Sequence, residues 1–357
     1  MPSGRSMRAG RIVRLAGPVL AIAGICAVLT GQSPFAAPSA RATCTKYAGA
    51  RGRDTAPGTR RRPLETVQHL VDSLHRGQTG CLRGGTYRIS GGGLQIRKSG
   101  VTLRSAPGER ATLEGDTQVQ PGANDVTLSK LNFVGDGTSA TVKPYSSRVT
   151  ISDSDITNNR LANSCVQLGG PGVGYRTERP RIVRNRIHDC GLGGTLQHGI
   201  YAGYVSGGEI SDNLIYNINQ GYAIQFYPSA KDLTFEHNVV DGGPTTLRGG
   251  ITFAGTGGVD PSSDDIVEQN IITYAAAAGI GSIWGSAPGK NNIARDNCLF
   301  RNNPNIETAN GGFSSSHNLS ANPLFVNRAH HDYRLRARSR CLRIVGYDTA
   351  RRLKSGP

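Results

Sequence analysis

A six-residue phrase recurs along this chain and limits what it can fold into. It reads apolar, any, any, Asn, any, apolar, and its members centre on Asn185, Asn213, Asn238, Asn270 and Asn297. Successive Asn residues lie between 25 (238 − 213) and 32 (270 − 238) positions apart. A period of this size indicates stacked repeats, none of which can bury its apolar side alone.

The same rhythm extends towards the N-terminus without the Asn, in Leu128–Phe133 and Ile151–Ile156. The phrase is too short for a helix, and its apolar ends have strand character. Parallel stacking of such strands places equivalent side chains about 4.8 Å apart. An Asn column at the bend is then expected to hydrogen-bond along the stack and satisfy backbone groups that the turn leaves unpaired.

The repeats resemble the coils of the right-handed parallel β-helix found in the pectate-lyase-like superfold, over about residues 86–325. Gly77–Tyr87 (GQTGCLRGGTY) and Asn322–Leu335 (NPLFVNRAHHDYRL) resemble the opening and closing segments of secreted actinobacterial β-helix proteins. The resemblance implies an all-β fold, a right-handed parallel β-helix solenoid. It also implies that Phe325 and Leu335 plug the core at the closing end. It says little about activity, because one fold hosts many functions.

The two ends of the chain carry their own signals. Residues 1–42 combine an arginine-rich start, the apolar run Leu15–Leu29 and the small-x-small sequence Ala40–Ala42, which is typical of a secretory signal peptide. A single membrane anchor is the alternative, although the run is short for a span. Pro63–Leu74 has one apolar stripe and is expected to form an N-terminal capping helix over the first coil.

These signals divide the chain into a signal peptide (1–42), an N-terminal cap (43–85), the β-helix (86–325) and a C-terminal cap with a basic tail (326–357). No second apolar run of spanning length follows the first. We therefore expect a secreted, monomeric mature chain without a membrane span.

Six cysteines remain after the predicted cleavage site, and an even number in an exported protein indicates disulfides. Six cysteines allow about 15 connectivities. Adjacency in the β-helix frame that the resemblance implies favours sequential pairing, namely Cys44–Cys81, Cys165–Cys190 and Cys298–Cys341. A zinc site is the alternative, but no CxxC spacing supports it.

The formal charge of the chain is +16. The predicted signal peptide contains five arginines and no acids, which leaves about +11 (16 − 5). A basic tail, in which Asp348 is the sole acid, holds Arg334, Arg336, Arg338, Arg340, Arg343, Arg351, Arg352 and Lys354. A basic exported protein attracts polyanions such as acidic polysaccharides, with a solvated tail as the alternative. Specific nucleic-acid binding is not expected, because aromatic residues are not interleaved with the basic ones.

Alignment of the strand that follows each Asn phrase predicts an outward column of polar and aromatic side chains. The column contains Lys143, Gln167, Tyr201, Gln225 and Thr252. Beside it we expect Tyr145 and Tyr227, with His198 and Tyr222 at the strand starts and with segments 170–180, 190–197 and 254–265 as banks. Such a strip suits a linear sugar chain, bound by Gln167, Gln225, Tyr227, Tyr222 and Tyr145. An ordinary exposed β face is the alternative.

The residue types on the strip discriminate between reactions. Glycoside hydrolysis needs two carboxylates, and the column has none. β-Elimination on a uronate needs a base, a group that neutralises the carboxylate and a proton donor. We assign these catalytic roles to His198, Lys143 and Tyr201, respectively. Uronate epimerisation needs nearly the same groups, so both reactions remain open, and a non-catalytic carbohydrate-binding or cell-surface protein is the alternative.

Calcium is the cofactor that the resemblance raises, but no metal ligands are assigned. Asp153 and Asp155 are the nearest carboxylate pair, and their position on the first strand of a coil favours a surface role. The aspartate cluster and arginine base of pectate lyases have no equivalents that can be placed. His188, which precedes Asp189, is expected to be structural and bonded within its turn.

Overall fold

Three long parallel sheets of short strands dominate the structure, a computed structural model that describes residues 43–354 except 170–175, 192–193, 195, 244–247 and 258–259. The predicted signal peptide lies outside the described residues, as do parts of the three predicted banks. Each coil passes through sheet 1, then sheet 2, then sheet 3.

Sheet 1 has 11 strands, which are Lys46–Ala48, Thr79–Leu82, Thr102–Ser105, Thr127–Ser129, Thr150–Ser152, Arg181–Val183, Glu209–Ser211, Thr234–Glu236, Ile266–Glu268, Asn292–Arg295 and Phe313–Ser316. Sheet 2 has 10 strands, which are Gly85–Arg88, Ala111–Glu114, Leu131–Val134, Asp155–Thr157, Arg186–Cys190, Leu214–Ile218, Val239–Asp241, Ile271–Thr273, Cys298–Phe300 and Leu319–Ser320. Sheet 3 has 9 strands, which are Leu94–Ile96, Thr117–Val119, Val142–Pro144, Val166–Leu168, Ile200–Ala202, Ile224–Phe226, Ile251–Phe253, Ile280–Gly281 and Ile306–Glu307. A small parallel sheet follows sheet 3 and contains Thr177–Glu178, Val205–Ser206 and Ala230–Lys231.

The core lies between the three sheets and runs the length of the stack. Inward side chains of equivalent strands stand directly above one another, as in the sheet 1 series Ile151, Ile182 and Ile210. These residues are fully buried and belong to one continuous apolar cluster. The predicted all-β fold, a right-handed parallel β-helix, is confirmed.

An asparagine ladder lines the bend between sheets 1 and 2. Asn185 donates from Nδ2 to the Ile151 carbonyl (2.9 Å) and to Asn213 Oδ1 (3.1 Å). The backbone amide of Asn185 also donates to Asn213 Oδ1 (2.9 Å). The pattern repeats through each later Asn and ends at Asn318, which the sequence period did not include. The residue before each Asn has positive φ, as at Arg184 (56°), and the chain bends there. The Asn side chain pairs with backbone groups that this bend leaves without partners.

A short helix, α1 (Val67–Asp72), covers the first coil. Thr66 caps it by accepting a hydrogen bond from the amide of His69 (3.2 Å). Leu70 and Leu74 pack over Gly80 of the second sheet 1 strand, where a side chain would meet both of them at 3.1 Å. The predicted apolar stripe is buried and the capping helix is confirmed, although it is shorter than Pro63–Leu74.

The C-terminal segment packs on the outer face of sheet 2 and does not plug the core. It forms an antiparallel hairpin (Phe325–Asn327 with Asp332–Leu335) around a 3-10 turn (Arg328–His330), then α2 (Leu342–Val345) and α3 (Thr349–Lys354). Phe325 and Leu335 contact a separate cluster with outward residues of sheet 2, including Leu214, Val239 and Ile271. The expectation of a plug is therefore wrong, because those outward residues offer an apolar surface that the segment covers.

The disulfide prediction is confirmed in all three pairs, Cys44–Cys81, Cys165–Cys190 and Cys298–Cys341. The last pair joins sheet 2 to the C-terminal segment. Across the part of the chain that the structure describes, no helix has the length and apolar character needed to cross a membrane.

Candidate functional site

The predicted column on sheet 3 exists in the expected register. Gln167 pairs with Tyr201, Tyr201 with Gln225, and Gln225 with Thr252. Lys143 lies one coil before Gln167, since Val142 pairs with Val166. The column continues beyond the prediction to Gln118 and Gln95 at one end and to Gly281 and Glu307 at the other.

The expected exposure of this column is correct at some positions and wrong at others. Gln167 and Tyr201 are half-buried, but Gln225 (1% exposed) and Thr252 (0%) are fully covered. Tyr222 is also covered at 2% exposed, because the Arg248 guanidinium lies 5.0 Å from its ring centroid. Arg248, in the loop that connects sheet 2 to sheet 3, therefore covers Tyr222.

His198 is completely buried, so its expected position at the surface is wrong. Its Nδ1 accepts a hydrogen bond from the Tyr222 backbone amide (3.0 Å), which places the ring proton on Nε2. Burial lowers the pKa of His198 to about 3, with Arg248 adding repulsion, and Gln225 acts weakly in the opposite direction. A neutral ring with its lone pair already engaged cannot accept a proton from a substrate.

His198 instead holds two tyrosines in place. Its ring stacks near Tyr201, with centroids 6.0 Å apart, and near Tyr222, with centroids 5.8 Å apart. His198 is thus a positioning residue between Tyr201 on its strand and Tyr222, which precedes the next sheet 3 strand.

Lys143 does not reach towards Tyr201. Its Nζ bonds to Ser139 and forms an ion pair with Asp116 (3.4 Å), and the side chains are 11% and 7% exposed. Asp116 precedes the strand Thr117–Val119, on the side of Lys143 away from Tyr201. The expected role of Lys143 as the group that neutralises a substrate carboxylate is therefore not supported, because a buried ammonium needs this internal partner.

An accessible surface, which we call the aromatic strip, is formed by Tyr201, Tyr227, Arg248 and Trp284, all half-buried. Tyr227 meets Trp284 edge to face, with centroids 4.8 Å apart. The Arg248 guanidinium lies 5.8 Å from the Trp284 ring centroid. Rings and a guanidinium side by side can stack on sugar faces and pair with a carboxylate.

Tyr201 depends on a glycine two positions later. A Cβ at Gly203 would come within 2.7 Å of the Tyr201 ring, so the ring lies flat across a position without a side chain. Burial raises the pKa of Tyr201 well above its usual value, and the nearby tyrosines Tyr227, Tyr204 and Tyr145 raise it further. Tyr201 is therefore a neutral phenol at physiological pH, able to donate a proton.

Tyr145 was expected on the strip as a binding residue but is 4% exposed. Burial, followed by the charge of Asp116, raises its pKa to about 12. The phenol is packed inside the turn after Val142–Pro144 and presents little surface to a ligand.

One bank of the strip is an ion-pair cluster beside the small parallel sheet. Arg176 donates to the carbonyl of Ser229 (2.8 Å) and to Asp260 (3.2 Å), and Lys231 also pairs with Asp260. The Arg176 guanidinium lies 6.0 Å from the Tyr204 ring centroid. This cluster joins four successive coils and stiffens the described part of the predicted banks.

Sequence reasoning missed Arg248 and Trp284 on the strip. Both lie in loops outside the aligned strands, so alternation within strands could not place them. A signal was present nonetheless, since Trp284 is the single tryptophan of the chain.

The acidic residues considered for calcium are engaged with cations. Asp153 accepts two hydrogen bonds from Arg184 (2.8 and 3.0 Å). Asp155 accepts from His188 Nε2 (2.9 Å), and Asp189 bonds to His188 Nδ1 (2.7 Å). Within the described ranges, no group of three or more His, Cys, Asp or Glu side chains is arranged to hold a metal ion.

His188 has the structural contacts expected of it. Burial alone would lower its pKa, but its hydrogen bonds to Asp155 and Asp189 outweigh burial and raise the pKa to about 9. The same contact lowers the pKa of Asp189 to about 2. His188 is thus a cation held between two carboxylates.

Residues 89–262 match the model of a family described as right handed beta helix region. A 75-residue segment is 39% identical to pectate lyase PEL9 of Emericella nidulans. That segment is 20% of this chain and only 18% of the length of the relative.

Solved structures agree on the fold. Pectate lyase Pel9A superposes with a TM-score of 0.57 at 11% identity, covering 83% of this chain and 90% of that one. An alginate lyase from Paenibacillus sp. str. FPU-7 superposes with a TM-score of 0.51 at 14% identity, covering 71% of this chain and 91% of that one. The chain is therefore a right-handed parallel β-helix protein, and it shares this fold with both lyases.

Proposed function

We propose that the protein acts on an acidic polysaccharide held along the aromatic strip, by β-elimination. The carrying observation is a contact series. It runs from Tyr201 through the buried His198 and Tyr222 to Arg248, Trp284 and Tyr227. It combines sugar-stacking rings with a cation on an elongated face. Pectate and alginate lyases share this fold, which supports the substrate class by analogy.

In this proposal Arg248 replaces Lys143 as the partner of the substrate carboxylate. A guanidinium fits a carboxylate with two parallel hydrogen bonds, which fixes the sugar and stabilises the charge that develops when the adjacent proton leaves. Hydroxide from the solvent takes the C5 proton, the C4–C5 double bond forms, and Tyr201 donates a proton to the leaving oxygen as the C4–O bond breaks. Gln167 lies one coil from Tyr201 and is available to hydroxyl groups.

Elimination and epimerisation both also require a base, and His198 does not supply it. The column from Gln95 to Gly281 carries no carboxylate. This observation favours a second candidate function, binding of the acidic polymer without cleavage. Binding uses the same rings and Arg248 but needs no base.

The proposed setting is extracellular. Three disulfides in one chain persist in an oxidising compartment and are rare in a reducing cytosol. A signal peptide over residues 1–42 and a net positive charge in the remaining chain are consistent with capture of acidic polymers outside the cell.

The decisive experiment incubates the protein with pectate, alginate, hyaluronan, a heparinoid and a gellan-type polymer, and measures unsaturated products by ultraviolet absorbance. One polymer is expected to yield them, and Arg248→Ala should abolish the signal. Absence of product from every polymer, together with Arg248-dependent binding, replaces elimination by the binding function. A change in uronate configuration by NMR, without chain cleavage, identifies epimerisation instead.

A further inference from the structure

A cleft lies between the outer face of sheet 2 and the C-terminal hairpin. Its volume is about 680 Å³, within the range of sites for small ligands. Tyr274 follows the strand Ile271–Thr273, and Phe300 ends the neighbouring strand Cys298–Phe300. These two rings line one side of the cleft, and Phe325 of the hairpin lines the other. We call it the hairpin cleft.

Two aromatic rings of the hairpin cleft lie beside arginine guanidinium groups and remain partly exposed. Tyr274 and Phe300 meet edge to face, with centroids 5.9 Å apart, and both remain half-buried. The Arg328 guanidinium lies 3.5 Å from the Tyr274 centroid, and that of Arg301 lies 5.4 Å from the Phe300 centroid. The cleft therefore repeats the ring-and-guanidinium combination of the aromatic strip on another face.

The charge of the hairpin cleft is unbalanced. Among the described residues that line it, Arg328, Arg336 and Arg338 are the charged ones. Asp241 accepts a hydrogen bond from Arg328 (2.7 Å), which leaves Arg336 and Arg338, both exposed, as an excess of positive charge. One Arg336 nitrogen donates to the Val326 carbonyl (3.1 Å), and a guanidinium has further donors to offer.

The neighbouring basic residues differ from this pair. Arg334 pairs with Asp332, and Arg351 pairs with Asp348. The basic tail seen in the sequence thus contains arginines that pair within the segment, exposed arginines away from the cleft such as Arg340 and Arg343, and two that line the cleft.

We propose that the hairpin cleft binds a carboxylate-bearing sugar of an acidic polysaccharide, as an attachment site separate from the strip. The ring edges contact the pyranose, and Arg336 and Arg338 pair with the carboxylate. The polymer class rests on the proposed function, but the site does not. Two separate sites on one polymer raise affinity for long chains over short ones through effective concentration. A nucleic-acid strand is disfavoured because successive bases need a row of stacking platforms, which one ring pair does not provide.

The test compares two double variants that remove equal charge from the same segment. R336A/R338A alters the hairpin cleft, whereas R340A/R343A removes two exposed arginines that do not line it. Isothermal titration calorimetry with trigalacturonate, trimannuronate and a hyaluronan tetrasaccharide, in low and physiological salt, measures binding. We expect R336A/R338A to weaken the tightest of these probes at least about 10-fold and the control less than about 2-fold.

Three outcomes would overturn the proposal: equal weakening by both variants, no effect of either, or no binding of any probe by the unaltered protein. The cleft would be assigned to nucleic acid if a dT12 oligonucleotide bound more tightly than every sugar probe and R336A/R338A abolished that binding. To separate this site from the strip, Arg248→Ala is titrated in parallel. If the strip function fails, Arg248→Ala leaves binding unchanged while R336A/R338A still weakens it.

Discussion

Sheet 2 and sheet 3 each hold a histidine that is largely removed from solvent, but the pKa values of the two histidines are shifted in opposite directions. On sheet 2, His188 lies between Asp155 and Asp189, and its pKa is raised to about 9. On sheet 3, His198 lies between two tyrosine rings without a carboxylate partner, and its pKa is lowered to about 3. Both rings are largely removed from solvent, so the difference comes from the presence of acidic partners.

The comparison extends to what covers each face. The C-terminal segment covers sheet 2, and Tyr333 and Arg328 bond to the buried carboxylate of Asp241. On sheet 3, Arg248 lies over Tyr222 and beside Trp284, and among the described residues Tyr201, Tyr227 and Trp284 are half-buried. On sheet 2 a buried carboxylate thus anchors a basic segment of the same chain, whereas on sheet 3 the acid Asp260 pairs with Arg176 and Lys231 at the bank.

The largest expected effect concerns the carboxylates of the two faces. Asp241→Ala leaves Arg328 without its counter-charge in a mostly buried site and should lower the free energy of unfolding by about 3 kcal/mol. Asp260→Ala, at the sheet 3 bank, removes a pair whose partners are about one-third exposed and should cost less than about 1 kcal/mol. Urea unfolding of both variants measures the difference. Equal losses would mean that the C-terminal segment is not anchored as described.

Next in size is the effect on the proposed reaction. Tyr201→Phe removes the proton donor and should lower turnover about 100-fold, or about 2.7 kcal/mol in the barrier. Tyr216→Phe is the matched control, because Tyr216 also stacks on a histidine but lies on sheet 2 beneath the C-terminal segment. Its turnover should stay within about 2-fold of the unaltered protein. The measurement is the rate of unsaturated product formation, and a reversed order would move the reaction to sheet 2.

A smaller effect is expected at the Asn ladder, which borders sheet 2 but not sheet 3. Asn238→Ala leaves buried backbone groups unpaired and should cost about 2 kcal/mol of stability. Asn318→Ala, at the partly exposed end, should cost less than about 1 kcal/mol. Polysaccharide binding should be unchanged in both folded variants. Thermal unfolding and calorimetry supply the two readouts, and weakened binding would show that the ladder also shapes the strip.

The smallest expected effect is the change in stability per pH unit that the two histidines cause. The two histidines change the stability in opposite directions. The raised pKa of His188 stabilises the fold fully below about pH 6.5, and this contribution is lost as the pH rises through about 9. The lowered pKa of His198 has the reverse sign, because protonation of the unfolded chain costs stability as the pH falls from about 6.5 towards 3. Stability should therefore be greatest near pH 6.5, with slopes of at most about 1.4 kcal/mol per pH unit from each group.

His188→Gln should flatten the alkaline slope of this profile and leave the acid slope in place. His317→Gln is the control, since the side chain of His317 is 79% exposed. Unfolding measured between pH 4 and pH 9 decides the matter. An alkaline slope that survives in His188→Gln would assign it to another group.

How far sequence reasoning reached depended on whether a feature repeats. The phrase around Asn213 recurs with a fixed order of apolar and polar positions, so the coils, the ladder and the register that pairs Gln167 with Tyr201 followed from it. The disulfides followed from coil adjacency, once the resemblance had supplied the frame. The capping helix followed from the spacing of its apolar residues. Each of these is a local or periodic property.

The site itself was decided by contacts between segments that do not repeat. Alternation correctly placed Gln225 on the outside of its strand, but it could not show that the side chain is only 1% exposed. Lys143 has the residue type of a substrate-binding cation, yet Asp116 from another coil engages it. His198 was expected at the surface from its position at a strand start. Strand alternation carries no information about neighbouring loops, so it could not show that His198 is buried. Periodicity encodes the direction of a side chain, whereas burial and protonation depend on what the rest of the chain brings to it.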